Sequence, residues 1–155
     1  MDIVQKINSI QEIQDTLKKK LEENVYFARS KIQVVSENSA QIDFLIKNAI
    51  GKLGIICVVQ TPTLEFYGKD DEGHPVWNMP EATIVISEIP TVNRGRADSS
   101  TALDAALIAA ETINELGDAV ALDGINQVET QGIVSVFLTF KTCAHFTYAR
   151  HDIDN

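Results

Sequence analysis

The sequence is poor in the residues and motifs that mark most enzyme and metal sites. Its 155 residues include two cysteines, Cys57 and Cys143, and no C-x-x-C pair. Two cysteines cannot form a disulfide framework, and since each lies in an apolar, strand-like run, we expect both to be buried free thiols. Glycine occurs 8 times but nowhere as Gly-x-Gly, which excludes a dinucleotide-binding fingerprint. A P-loop, a zinc-protease helix and a serine-hydrolase elbow are missing as well. We therefore expect no catalytic residue, no cofactor and no metal.

Long apolar runs and an excess of basic charge are also missing. No stretch approaches the roughly 20 apolar residues that a membrane helix needs, and the N-terminus lacks the basic start and apolar core of a signal peptide. Lys and Arg total 13 against 22 Asp and Glu, which leaves a net charge of −9. We do not expect so acidic a chain to bind nucleic acid specifically, because that requires a basic face, or to bind an anionic membrane. The expected setting is intracellular.

What the sequence does contain is the composition of a folded domain. Hydrophobic residues make up 45% and charged residues 23%, which are ordinary values for globular proteins. The length suits one domain. We expect a single domain over residues 1–155, with an ordered core from 3 to 145 and a frayed tail from 146 to 155.

Three segments have helical periodicity. The first runs from Ile3 to Leu21, although a capping box at Ser9 offers a later start. The second occupies residues 39–53 and stops at Gly54. The third follows a cap among residues 99–101 and ends at Gly117. Its expected inner face consists of Leu103, Ala106, Leu107, Ala110, Ile113 and Leu116.

The middle of the chain predicts a long antiparallel hairpin. A strand over residues 55–67 and a second over 82–89 flank a polar loop at 68–80 that contains Gly and Pro. Pro62 lies within the first strand and predicts an edge position or a bulge there. A shorter strand at residues 31–36 precedes the second helix.

The last third of the chain is rich in β signals. Short strands at 119–122 and 125–129 flank a turn at Asp123-Gly124, and a strong strand at 133–142 follows a turn at Gln131-Gly132. The whole order is α-β-α-ββ-α-ββ. It predicts an α+β fold, a mostly antiparallel sheet with a long hairpin that is packed by two to three amphipathic helices.

Two clusters are the strongest candidates for chemistry, and neither is specific. Residues 70–74, Asp-Asp-Glu-Gly-His, fail the spacing of an EF-hand loop. We interpret them as a solvated hairpin tip, with a weak cation site as the alternative. Cys143 and His145 would form a nucleophile pair only with an exposed, oriented thiol, so we expect no enzyme.

Aromatic and basic residues in the loops are candidates for contacts with another protein. Arg94 and Arg96 flank Gly95 and would be either plain surface residues or partners for acidic groups of a neighbouring subunit. Trp77 would either pack on the core or meet a partner, since Trp is enriched at binding hot spots. The candidate subunit or partner contacts are Tyr67, Asp70, Asp71, His74, Trp77, Arg94 and Arg96.

The order of elements resembles that of the tail terminator or tail completion proteins of long-tailed bacteriophages and of related minor tail proteins in prophages. The closing β region that takes part in this resemblance reads Leu122-Asp-Gly-Ile125-x-x-Val128 and then Gly132-Ile-Val-Ser-Val-Phe-Leu-Thr-Phe140. The resemblance covers about residues 3 to 142 and rests on layout, size and acidity.

The resemblance implies a structural function. Such proteins form hexameric rings at the end of the tail tube, stop its polymerisation and contact the head–tail connector. The expected partners are copies of this chain, the tail tube and the connector, in the host cytoplasm during assembly and then in the virion tail. An acidic lumen would keep passing DNA from sticking. The alternative is a small intracellular α+β adaptor or chaperone that binds proteins and has no phage role.

Overall fold

The computed structural model describes residues 4–7, 10–116, 120–142 and 145–148. The strands in these ranges are β1 (Val4–Ile7), β2 (Val34–Ser36), β3 (Ile55–Val59), β4 (Thr63–Lys69), β5 (Pro75–Glu88), β6 (Val120–Thr130), β7 (Ile133–Thr142) and β8 (His145–Tyr148). The helices are α1 (Ile10–Glu22), α2 (Val25–Arg29), α3 (Ile42–Lys52), α4 (Pro90–Asn93) and α5 (Ala102–Asn114). No helix in these ranges has the length and apolar character to cross a membrane.

Strand β5 is the centre of the sheet, because most of the other strands pair with it. Its first half pairs with β4 and β8, and its second half pairs with β3 and β7. All four of these pairings are antiparallel, whereas β1–β8 and β2–β3 are parallel. The predicted α+β fold, with a mostly antiparallel sheet and a long hairpin, is confirmed.

Helices cover both faces of the sheet. Alternate strand residues point to opposite faces, so Val35 and Ile56 pack with Ala49 of α3, while their neighbours pack on the other side. There, Leu21 of α1, Phe27 of α2 and the inner face of α5 form the larger core with β3, β5 and β7. The predicted apolar stripe of the second helix is confirmed, since Ile42, Leu45, Ile46 and Ile50 all pack in this smaller cluster.

Both ends of the described chain differ from the prediction. Residues 4–7 form a strand rather than the first turns of a helix, because they pair in parallel with β8. The first helix begins at Ile10, which is the later of the two predicted starts. The frayed tail is wrong for residues 146–148, which lie in β8 between β1 and β5. The rest of that tail, 149–155, lies outside the described residues.

The hairpin exists but its loop is shorter than predicted. The chain leaves the sheet at residues 60–62, so the expected strand of 55–67 is two strands, β3 and β4, that pair with successive parts of β5. Only residues 70–74 remain as the tip, instead of 68–80. Gly and Pro do not prevent the longer strands, because Gly68 follows a register shift and Pro75 begins β5, where a strand tolerates proline.

Helix α5 presents a different face to the core from the one predicted. The residues that it buries are Ala102, Ala105, Ala106, Ala109, Thr112 and Ile113. Of the predicted inner residues, Leu103 and Leu107 are 43% and 49% exposed. Small side chains let the helix lie close to the sheet, which leaves its leucines at the margin of the contact.

The closing β region is more regular than predicted. Strand β6 is continuous, and Asp123-Gly124 forms a bulge against β7 rather than a turn. The turn at Gln131-Gly132 is confirmed, with φ of 53° and 79°, as a tight hairpin turn requires. The predicted inner face of β7 is also confirmed, since Val134, Val136, Leu138 and Phe140 are buried.

Candidate assembly surfaces

One hairpin of the sheet exposes several large apolar side chains. We call residues 63–81 the arm; it consists of β4, the tip at 70–74 and the first part of β5. An antiparallel strand usually buries one face, yet every residue of β4 except Gly68 is exposed. Leu64, Phe66 and Tyr67 are 42%, 60% and 54% exposed. Large apolar side chains on both faces of one hairpin are typical of a surface that binds another protein.

Two aromatic rings of the arm contact each other across β4 and β5. Phe66 and Trp77 are directly opposite in the β4–β5 register, and their rings meet edge to face with 5.9 Å between centroids. Such a pair stabilises a hairpin by about 0.5–1.5 kcal/mol beyond the area that it buries. Trp77 is therefore a half-buried strand residue and not a loop residue as predicted. The pair places two large aromatic side chains on one face of the arm.

The tip of the arm is acidic and internally hydrogen-bonded. One carboxylate oxygen of Asp70 accepts the backbone N–H of Glu72 at 3.0 Å and that of His74 at 2.8 Å. The bond from His74 is the main cause that lowers the pKa of Asp70 below its ordinary value. Asp71 and Glu72 are exposed, so their negative charges face solvent. Asp70 instead stabilises the conformation of the tip through its hydrogen bonds.

The imidazole of His74 lies near two carboxylates of the tip. Its Nδ1 is 3.5 Å from Asp70 and 3.6 Å from Glu72. The described residues contain no group of three or more His, Cys, Asp or Glu that could hold a metal ion.

The two loop arginines lie at the other end of β5, away from the arm. Arg94 donates to Oε1 of Glu88 at 3.2 Å, and the Glu88 side chain is 1% exposed. Arg96 donates from Nε to the carbonyl of Leu53 at 2.9 Å and from Nη2 to Ser30 and Asn93. The structure therefore brings together Tyr67, Asp70, Asp71, His74 and Trp77 in the arm, and places Arg94 and Arg96 elsewhere.

Sequence reasoning missed a second exposed surface on strand β6. Each residue from 121 to 130 is exposed, including Leu122, Ile125 and Val128 at 45%, 38% and 42%. Strand β6 pairs with β7 alone among the described strands, so its outer edge carries unpaired backbone groups. The alternation of the sequence identified a strand, but it could not show that neither face would be covered.

The cysteines provide no reactive site in the described part of the chain. Cys57 is completely buried, and burial strongly raises the pKa of its thiol, which suppresses the reactive thiolate. The prediction of a buried free thiol is confirmed for Cys57. Cys143 lies outside the described residues, and of His145 only the backbone is described, so the expectation that the two form no nucleophile pair stays a prediction.

A cleft of about 540 Å³ lies between α2 and α5. Its polar side chains already bond to one another: Asn24 donates to Thr112 at 2.9 Å, and Lys20 pairs with Glu115 at 2.9 Å. This arrangement joins the helices and contains no nucleophile beside a base.

Comparisons with known proteins assign no family. The chain matches no protein-family model and no curated protein. Its function must therefore be proposed from its own residues.

Proposed function

We propose that the chain is a structural protein of a phage or prophage tail, of the tail terminator or tail completion type. It assembles with copies of itself into a hexameric ring at the end of the tail tube and contacts the head–tail connector. The observation that carries the proposal is the arm, whose apolar residues Leu64, Phe66 and Tyr67 are exposed on a hairpin outside the core. Exposed apolar side chains of this kind suit a protein that binds a neighbouring subunit.

Contact between the arm and a different surface of the next copy would build a ring rather than a two-fold dimer. An interface between different surfaces is heterologous. Repetition of such a contact closes into a ring if its rotation permits. The net charge of −9 suits a ring through which DNA passes, because like charges prevent adhesion.

Two observations test the assignment to a tail. The first is the gene neighbourhood, which should contain portal, connector and tail-tube genes. The second is co-sedimentation of the purified protein with tail tubes assembled from the neighbouring tube protein, followed by electron microscopy. A density at one end of each tube supports the proposal. Failure to bind tubes, together with a gene setting outside any phage cluster, would refute it.

The alternative is an intracellular adaptor or chaperone, and the β6 edge favours it. An exposed strand edge can bind an extended peptide through main-chain hydrogen bonds, and β6 offers 11 residues for this purpose. Such a protein would be a stable monomer or dimer that binds an unfolded or extended client. A ring in solution would exclude this function.

A further inference from the structure

Charge is separated along β5, with acid at one end and base at the other. The acidic end is the arm tip, where Asp70, Asp71 and Glu72 lie. At the far end β5 finishes at Glu88, and the chain passes through α4 into the segment that contains Arg94 and Arg96. A chain whose net charge is −9 thus carries two arginines near the end of β5 that lies opposite the acidic tip.

The hydrogen bonds of Arg96 bring further cationic residues to that end from distant parts of the sequence. Its bond to the carbonyl of Ser30, at 3.1 Å, places the segment that contains Arg29 and Lys31 beside it. Its bond to the carbonyl of Leu53, at 2.9 Å, does the same for Lys52. We call the resulting set the basic end; its members are Arg29, Lys31, Lys52, Arg94 and Arg96.

Most side chains of the basic end are exposed to solvent. Arg29, Lys31 and Lys52 are exposed, and the Arg94 side chain is 56% exposed above buried Glu88. The set holds 5 of the chain's 13 Lys and Arg residues. Acidic residues lie here as well: Glu88 and Arg94 neutralise each other, Glu129 lines the same cleft as both, and Asp98 is exposed. The positive charge of the basic end therefore rests on Arg29, Lys31, Lys52 and Arg96.

The two ends of one copy cannot meet. Strand β5 has 14 residues, so it separates them by roughly 46 Å at about 3.3 Å per residue. Two copies can meet, and their charges then select the orientation, since like ends repel and unlike ends attract. The result is a head-to-tail contact, which is heterologous and closes into a ring if its rotation permits.

We propose that the arm of one copy docks on the basic end of the next, with Asp71 and Glu72 beside Lys31 and Lys52. This inference rests on the proposed function, which requires binding between copies, and it names the surfaces that meet. The exposed Leu64 and Phe66 bury apolar area in the contact, while the charges direct the approach. A nucleic acid is the other polyanion that could occupy the basic end, but five cations contact few phosphates and would lose affinity steeply with salt.

Zero-length carbodiimide cross-linking tests the contact directly. The reagent joins a carboxylate to a lysine amine only where the two touch. Because β5 holds the ends of one copy apart, every cross-link from Lys31 or Lys52 to Asp71 or Glu72 must join two copies. A 1:1 mixture of ¹⁴N and ¹⁵N protein verifies this, since about half of such cross-linked peptides should carry both isotopes, whereas cross-links within one copy would carry only one. Cross-links that connect only other surfaces would overturn the inference.

Charge exchange provides the second test. Asp71→Lys with Glu72→Lys gives a copy whose two ends are basic, and Lys31→Glu with Lys52→Glu gives a copy whose two ends are acidic. Each variant alone should associate at least about tenfold more weakly than the wild type, and a 1:1 mixture should recover an alternating oligomer. Lys19→Glu with Lys47→Glu is the control, because it makes the same charge change outside the basic end. Thermal melting of each variant verifies that it is folded.

The outcomes separate this inference from the proposed function. If the wild type assembles and binds tail tubes while both charge variants associate like the control, the surfaces named here are wrong and the function stands. If the wild type neither associates nor binds tubes, both proposals fail. If Lys31→Glu with Lys52→Glu loses only binding to a DNA duplex, the basic end binds nucleic acid and the contact between copies is refuted.

Discussion

The guanidinium of Arg96 donates to the backbone carbonyl of Ser30 at 3.1 Å, across 66 positions of sequence. Together with its bonds to Leu53 and Asn93, this contact fastens the end of α2, the end of α3 and the loop before α5 to one another. A planar cation with several donors suits three acceptors in different elements. The same residue that joins these elements also gathers the basic end.

Replacement of Arg96 by lysine should therefore destabilise the fold although the charge is kept. A lysine ammonium cannot reach Leu53, Ser30 and Asn93 in their fixed directions, so at least one acceptor loses its partner. We expect the free energy of unfolding to fall by about 1–3 kcal/mol, measured by urea denaturation. Arg29→Lys, at an exposed position, should change it by less than about 0.5 kcal/mol. Equal effects of the two substitutions would show that Arg96 is not structural.

The carboxylate of Glu88 should tolerate no neutral substitute. It accepts hydrogen bonds from Arg94, from the side-chain amide of Asn93 at 2.7 Å and from the backbone N–H of Ala102 at 3.0 Å. In Glu88→Gln an amide NH₂ replaces one acceptor and faces these donors, which costs about 1–3 kcal/mol for each donor left unpaired. Chemical denaturation measures this loss, and wild-type stability in the Gln variant would contradict the account.

Two glycines of the same segment should respond in opposite ways to alanine. Gly54 has a φ of +74°, and a Cβ there would lie 2.5 Å from the backbone nitrogen of Asn93. Gly54→Ala should destabilise the protein by about 1–3 kcal/mol. Gly51 lies within α3 with nothing within 4 Å of its Cβ position, so Gly51→Ala should stabilise the protein by about 0.5–1 kcal/mol. A pair of thermal melts decides this, and shifts of the same sign would refute it.

The tip of the arm should loosen in acid. Its hydrogen bonds lower the pKa of Asp70 below the ordinary value of 3.8, so the carboxylate is favoured in the folded tip. The stabilisation is then present above pH 3.8 and is lost as the pH falls through the lower folded value. An NMR titration that follows the amides of Glu72 and His74 should give a midpoint below that of a peptide spanning residues 68–76. Asp70→Asn keeps an acceptor oxygen and should remove the pH dependence; a midpoint equal to the peptide's would contradict the assignment.

The sequence was informative where local pattern decides the structure. Alternation predicted the buried face of β7, and the apolar stripe predicted α3 with its stop at Gly54. The sequence pattern was wrong where pairing between distant segments decides the structure. Residues 4–7 follow a helical spacing, but they pair with β8. In α5 the pattern selected leucines for the inner face, whereas the close approach to the sheet admits alanines. Helix α2 was not predicted at all, although Asn24 caps it by accepting the N–H groups of Tyr26 and Phe27.

The candidate surfaces were predictable to a similar extent. Five of the residues proposed as contacts, among them Asp71 and Trp77, do lie together in the arm, because they are close in sequence. The basic end could not be predicted, since Arg29, Lys52 and Arg94 come from three separate segments that only the folded chain brings together. The spacing of residues along the sequence cannot identify a set of this kind.

The central claim is that copies of this chain associate through the arm, and sedimentation velocity over a concentration series tests it most directly. The wild type should progress with concentration from monomer to a closed hexamer. Leu64→Ser should remain monomeric with an unchanged far-UV CD spectrum, because that side chain is exposed and the Phe66–Trp77 pair of the arm is kept. Val25→Ser, at a side chain that is 70% exposed on α2, should associate like the wild type. A wild type that stays monomeric at every concentration, or an arm variant that still forms the hexamer, would contradict the account.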